Sequence, residues 1–362
     1  MPTPAPNHTL PGPVTHAAPR PLRLGFLGLT DAAPLAVAAQ RGLFAKYGLR
    51  VALRHEIGWA TILDKSVYGE LDAAHVPAPM LWSTQLGLGC TATDVLTALV
   101  LNLHGNALTL ARTLWDVGAR DAASVRALAM ARRARQPLTF GIAHPFSNAH
   151  LMLRDWLLAA GLNPARDVRI VVVPPAQMFR NLVAGTIEGY CAGEPWNSLA
   201  VSENAGWCPT WSAAHSPGLV EKVLMVTERF AESHDDRHAA LVAALAEACT
   251  WCDEPPNREP LAQLLSGPTY LNLPARVILP ALLGRFDRGH GRMENVPNFH
   301  VFHRHEANVP TAAKAVTLQR SLGEAGLITS LHAADTTLPT RLFRPDLHHH
   351  ALGRKSLHAL AT

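Results

Sequence analysis

The stretch LRLGFLGLTDAAPLAVAAQRGLFAKYGL, residues 22–49, decides how this chain folds. Residues 22–29 are a short apolar run ending at Thr30 and Asp31, and residues 32–47 carry apolar side chains at helical spacing until Gly48 stops them. That is a strand followed by a helix. Residues 50–57 predict a second strand, 59–68 a second helix, and 73–76 a third strand closed off by Pro77 and Pro79. Alternation of this kind builds a parallel sheet with helices on its faces.

A second series of the same type runs through a strand at 138–143, a helix at 148–160, a strand at 168–173, a helix at 176–184 and a short strand at 189–193. Between the two series lies an apolar segment, 95–110, and after the second lies another, 218–227. Each suits a strand that crosses between two lobes, which places the hinge there. Helices are predicted at 236–252, 259–265, 274–286 and 311–325, returning to buttress the first lobe. The domain reading is therefore an N-terminal arm rich in Pro, Thr, His and Ala (1–21), a first lobe (22–105), a second lobe (106–217), a return crossover completing the first lobe (218–336) and a loose tail (337–362).

At 362 residues, 48% hydrophobic and 17% charged, the chain suits two folded lobes better than one core. A net charge of only +4, with one basic cluster at Arg126, Arg132, Arg133 and Arg135, speaks for a solvated helix face rather than a nucleic-acid surface. The first residues lack the charged start and apolar run of a secretory signal. Elsewhere the nearest approach to a membrane-length apolar segment is broken by Asn102, His104 and Asn106. These features predict a cytoplasmic protein with no membrane insertion. Five cysteines at irregular spacing suit a reducing compartment, and the Cys249–Cys252 pair, late in a helical run, reads as core rather than as a redox motif.

There is no glycine-rich phosphate loop, HExxH, GxSxG elbow or paired CxxC of zinc-site spacing, which turns attention from catalysis to binding, with no metal or cofactor expected. In open α/β sheets a ligand sits beyond the carboxyl ends of strands, where helix N-termini present N–H groups. Trp59 opens the second helix, where its indole either donates to a ligand or plugs the lobe core. Asn106, preceded by His104 and Gly105 at the first crossover, donates without adding charge or caps a turn. His75 and His144 end strands, as ligand contacts or as backbone-satisfied residues. Lys222 stands between Val220 and Val223, where an unpaired ammonium would be costly; it needs an anion, supplied either by a ligand or internally by Glu221 or Glu194. Residues 193–197, Gly-Glu-Pro-Trp-Asn, read as a rigid cleft wall. The run His348, His349, His350 has no fold-derived geometry to make it a metal site.

Together with residues 22–49, the stretches WATILDKSVYGELDAAHVPAPM, LNLHGNALTL, VVVPPAQMFRNLVAGTIEGYCAGEPWNS and EKVLMVTE resemble the nitrate-binding family of two-lobed solute-binding proteins, covering 22 to about 328. That family includes NrtA-type transport receptors, the bicarbonate-binding CmpA type and the cytosolic sensor NasS. The resemblance implies an α/β, type II periplasmic-binding-protein fold, two lobes joined by crossover strands with the ligand cleft between them. It implies an anion held by Trp59, Asn106 and Lys222, with Gly105, His75, His150 and Glu194 as further contacts. Asn106 stands where the transport receptors tend to carry glutamine. Bicarbonate-binding relatives are expected to carry an acidic residue at the Lys222 position and to use a metal, so Lys222 favours nitrate or nitrite. Where the family often has a histidine in a Thr-His context, this chain has Ala149, which leaves Asn148 or His150 to substitute.

On this resemblance the expected role is non-enzymatic. The main expectation is a cytosolic nitrate or nitrite sensor of NasS type that holds a NasT-like ANTAR antiterminator when empty. The alternative is the receptor of an ABC importer, docking on its permease. An enzyme on the same fold, such as a synthase of a thiamine-pyrimidine precursor, would need a nucleophile or a cofactor lysine.

Overall fold

The computed structural model describes residues 20–359, with side chains through Gly353. Of the expected N-terminal arm, residues 1–19 lie outside the described part; Arg20 is held to Asp72 by an ion pair of 2.7 Å. Thirteen strands are described: β1 (Leu22–Phe26), β2 (Val51–His55), β3 (Ala73–Pro77), β4 (Val95–His104), β5 (Asn106–Ala111), β6 (Thr139–Ile142), β7 (Arg169–Val172), β8 (Gly189–Gly193), β9 (Gly206–Trp211), β10 (Val220–Thr227), β11 (Arg285–Asp287), β12 (Met293–Asn295) and β13 (His300–Val301). They form a six-stranded sheet, β13-β4-β10-β3-β1-β2, a five-stranded sheet, β7-β6-β8-β5-β9, and the hairpin β11-β12.

Each large sheet is mixed rather than purely parallel. β1 runs parallel to β2 and β3, and β6 runs parallel to β7 and β8, as helical crossovers require. The antiparallel strands are those reached on coming from the other lobe: β5 against β8 and β9, β10 against β3 and β4, and the short β13 against β4. β4 is buried over all ten residues, as expected of a strand covered on both faces. It passes straight into β5 through Gly105, whose φ of 97° is open to glycine and strained for other residues.

Several elements depart from the sequence expectation. The helix expected at 32–47 is two, Ala33–Gln40 and Leu43–Lys46, broken at Gly42, whose φ of 68° leaves the helical region. The chain also crosses between lobes a third time. Ala281, Phe286, Val296 and Phe299 pack with Ala107, Val201 and Cys208 of the second lobe, and Cys208 N–H donates to Arg288 O at 2.9 Å. The Arg288 guanidinium donates in turn to Cys208 O and Pro209 O. The 274–286 segment was expected to be wholly helical and to remain with the first lobe; its helix stops at Leu282 and the chain turns into the hairpin at Gly284.

The tail expected to be loose is packed. Helices Leu338–Leu342 and Pro345–Ala359 lie on the first lobe, with Leu342 and Phe343 fully buried and the Phe343 ring 5.9 Å from Trp82. The apolar residues Leu338, Leu342, Phe343, Leu347 and Ala351 supply a helical stripe that the prolines and histidines obscure. His348 belongs to this packing, with Nδ1 2.9 Å from Ala98 O. Cys249 and Cys252 are buried, unpaired core residues of the helix Asp235–Asp253. In the basic cluster, Arg132 and Arg133 pair with Glu188 and Asp167. Among the described residues no helix is long and apolar enough to cross a membrane.

Candidate functional site

The carboxyl ends of β1 and β3, the start of the helix Trp59–Val67, the two crossovers and the end of β8 meet between the sheets. Lys222 on β10 is 2% exposed, and its Nζ lies 2.6 Å from Asp31 Oδ2 and 2.8 Å from Glu221 Oε1. Adjacent residues of a regular strand point to opposite faces; here the register shifts between Val220 and Lys222, a bulge that lets Glu221 and Lys222 converge. The ammonium sits 5.8 Å from the centroid of the Trp59 ring, which in turn lies 5.8 Å from the His75 ring. His75 Nε2 approaches Asp31 Oδ1 at 3.1 Å, off the alignment of a hydrogen bond.

The electrostatics follow from burial and pairing. Burial alone would raise the Asp31 carboxyl, but Lys222 and His75 together outweigh it and hold Asp31 well below the usual carboxylate range. Burial would lower Lys222, but Asp31 and Glu221 outweigh it and leave the ammonium raised. Burial dominates at His75, which is lowered toward the neutral form. The anion that Lys222 was expected to need is therefore present inside the protein, supplied by Glu221 and by Asp31.

The second lobe closes the site. Asn106 on β5 pairs with Gly193 on β8, and a Cβ at Gly193 would stand in ordinary contact with both side chains, 3.4 Å from Asn106 Oδ1 and 3.5 Å from Asp31 Oδ2, which places Asn106 and Asp31 on either side of Gly193. Thr30 N–H donates to Glu194 O at 2.8 Å across the lobes, and Glu194 N–H donates to Gly105 O at 3.0 Å. Glu194 is buried; its Oε2 accepts from Ser198 N–H at 3.1 Å, and burial pushes its carboxyl up to about 7. Around this junction Asn106 Nδ2, Trp196 Nε1, Glu194 Oε1, Thr30 Oγ1 and Asn148 Oδ1 are buried with no hydrogen-bond partner among the described residues. Unpaired buried polar groups are uncommon in folded proteins, and Asn106, which shares the surroundings of Gly193 with Asp31, is the one tied to the Lys222 pair.

The other predicted contacts separate. Gly105 backs onto His300, a residue the sequence reading missed: a Cβ on Gly105 would stand 2.5 Å from His300 Cε1. His300 is buried, and burial lowers its ring to about 3. Beside it His104 ties the crossovers together, with Nδ1 2.9 Å from Asn298 O and Nε2 accepting from Gly218 N–H at 2.7 Å. Asn148 Nδ2 donates to Val220 O at 2.6 Å across the lobes, whereas His150 turns toward Pro145 O at 2.7 Å within its own lobe. His144 is a turn residue whose Nδ1 accepts from Phe146 N–H. Asn148 and Val220 also line a cavity of ≈ 440 Å³ between the lobes that continues to Lys314 and Thr317. Asp31 was missed as a site residue although it lies in the 3₁₀ turn Thr30–Ala32 that follows β1, beyond the carboxyl end of the strand where α/β proteins place ligand contacts.

A two-lobed solute-binding protein fold is the class that this architecture and cleft define. The chain belongs to the NMT1-like family, whose model matches residues 15–266. It is 36% identical over 329 residues to the nitrate import ATP-binding protein NrtC of Synechocystis sp. strain PCC 6803, covering 90% of this chain and 49% of that protein. It is 42% identical over 253 residues to the bicarbonate transport ATP-binding protein CmpC of the same strain, covering 69% of this chain and 38% of that protein. The chain thus spans about half or less of the length of these relatives. Its fold matches the crystal structure of the periplasmic nitrate-binding protein NrtA from Synechocystis PCC 6803 with a TM-score of 0.86 at 26% identity, covering 92% of this chain and 88% of that one.

Proposed function

We propose that the chain closes around nitrate or nitrite and presents it to an ABC-type importer. The observation that carries this reading is an unpartnered buried donor beside a fully buried ammonium. Asn106 Nδ2 is a donor without an acceptor, and Lys222, with three N–H groups, has committed two to carboxylates. A small planar monoanion needs several N–H donors and exclusion of water rather than many charges. Trp59 supplies an apolar wall behind Lys222. Because contacts come from both lobes, the ligand favours the closed state through its differential affinity, and closure is what a permease or a regulator would read.

The relatives support the importer role: one is a nitrate import ATP-binding protein, and the structural match is a periplasmic nitrate-binding protein. The second reading, a cytosolic sensor controlling a NasT-like antiterminator, draws on the family resemblance and would place the protein in the cytoplasm. CmpC makes bicarbonate the natural competitor. Calorimetric titration with nitrate, nitrite and bicarbonate tests the ligand: micromolar binding of nitrate or nitrite, on the order of 8 kcal/mol, supports the reading. Folded, ligand-free protein that gives no heat with any of the three refutes it. Capture of a cognate permease, against capture of an ANTAR-type regulator released by nitrate, separates the two roles.

A further inference from the structure

We propose that the outer end of the second lobe is a docking surface for an anionic phospholipid membrane, onto which the chain adsorbs without inserting. This surface is a different part of the molecule from the anion cleft and does not depend on it. β5 runs from Asn106 at the cleft to Ala111, while β6 and β8 start at Thr139 and Gly189 and run the other way. The loops after β5 and before β6 and β8 therefore gather at the end of the lobe away from the cleft, about 17 Å from Asn106 at the rise of an extended strand. The tip of the β11–β12 hairpin reaches the same end, because Gly289 lies against Trp207 and Gly206, and Gly206 pairs with Ala111.

Positive charge is concentrated there. Residues 112–138, 158–169, 183–188 and 285–295 hold eleven arginines and no lysine against six carboxylates, an excess of five where the entire chain has +4. Four of those carboxylates, Asp116, Asp167, Glu188 and Glu294, pair with arginines of the same segments. Arg120 instead donates to Trp115 O and Ala119 O, and Arg292 to Gly289 O and Arg288 O; neither has a carboxylate partner among the described residues. Trp115 gathers both. Its ring lies 4.0 Å from the Arg120 guanidinium, 4.7 Å from that of Arg292 and 3.8 Å from the stacked ring of His290. Three successive left-handed residues, Gly289, His290 and Gly291 with φ of 84°, 55° and 71°, fold the hairpin tip back to put His290 there.

A basic surface fits several polyanions, and the apolar side chains beside it decide between them. Val117, two residues from Trp115, is 64% exposed, and Met293, next to Arg292, is 58% exposed. Leu158 and Val183, in the last turns of the helices Asn148–Ala159 and Pro175–Val183 that lead to this end, are exposed as well. Arginines able to meet headgroup phosphates, with apolar side chains between them, suit a surface that rests in the membrane interface. A nucleic acid gives those apolar groups nothing to bury against, and the Trp115 ring would have to give up His290 to stack on a base. Adsorption through this end leaves the cleft open to its ligand.

Sedimentation of the whole chain with sucrose-loaded vesicles tests the proposal. The chain should sediment at low salt with vesicles of equal parts phosphatidylglycerol and phosphatidylcholine, and stay in solution with phosphatidylcholine alone. Arg120→Gln should weaken vesicle affinity about fivefold. Val117→Ser, which leaves every charge in place, should weaken it as well. Arg54→Gln, which removes one charge from the exposed edge strand β2 of the first lobe, should leave it unchanged. Nitrate titration of the same variants should match the unaltered chain, so the outcome at the membrane is read separately from the anion site. No sedimentation with the anionic vesicles, equal sedimentation with phosphatidylcholine alone, or an equal loss in Arg54→Gln and Arg120→Gln would each overturn the proposal. So would a DNA duplex that binds as tightly as the anionic vesicles while Val117→Ser weakens neither, which would make the surface a general polyanion binder.

Discussion

Lys222→Met keeps the side-chain length and removes the charge, leaving the carboxylates of Asp31 and Glu221, 1% and 3% exposed, without their shared partner. At an effective dielectric of about 20 each contact carries a gross attraction of roughly 6 kcal/mol, largely cancelled by the cost of desolvating the ions. Breaking the pair restores none of that desolvation cost, so a loss of about 3–5 kcal/mol is expected, read as a lower urea midpoint by far-UV circular dichroism. Adding Asp31→Asn to Lys222→Met removes one stranded charge and should recover about 1–3 kcal/mol. The pH dependence has a definite sign. Asp31 is depressed in the folded state, so its contribution is present above the ordinary carboxylate pKa of about 4 and fades as pH falls below it. The gap between the wild type and Lys222→Met should therefore narrow in acid. A loss under about 1 kcal/mol at pH 7, or a double variant less stable than Lys222→Met, would refute this reasoning.

Other expectations follow from the same structure. Gly105→Ala forces a Cβ to 2.5 Å from the His300 ring at a φ of 97°, so thermal denaturation should show a loss of at least about 2 kcal/mol. The Glu194 carboxyl is raised to about 7, so its contribution to stability is fully present below about 4 and is lost as pH rises through 7. Ligand-free Glu194→Gln should lack that decline and gain about 3 kcal/mol on the wild type by pH 9, as measured by urea unfolding at several pH values. Leu342→Ala, in the C-terminal region expected from sequence to be loose, should cost about 2–5 kcal/mol because the side chain is fully buried.

The two-lobed design was legible because apolar runs, helical spacing and Gly or Pro stops agree in each lobe: β8 falls at 189–193 as read, and the two crossovers stand out as long apolar strands. Mixed strand direction was not legible, since the direction of β5 and β10 follows from which lobe the chain has just left. The third crossing was hidden because β11, β12 and β13 have three, three and two residues, too short for any periodicity. In the site, Lys222 stood out as a cation among apolar neighbours and Asn106 by its place at a crossover. Asp31 passed as a strand-ending residue because its partner lies 191 positions away. His300 carries no local signal; only the absent side chain of Gly105, brought against it by folding, shows why it fits.

The most direct test of the central claim is a crystal structure of the chain grown with nitrate. The account predicts a planar anion between the lobes, within hydrogen-bond distance of Lys222 Nζ and Asn106 Nδ2 and backed by Trp59. A closed cleft empty at saturating nitrate, or nitrate held only on the outer surface of a lobe, would contradict it.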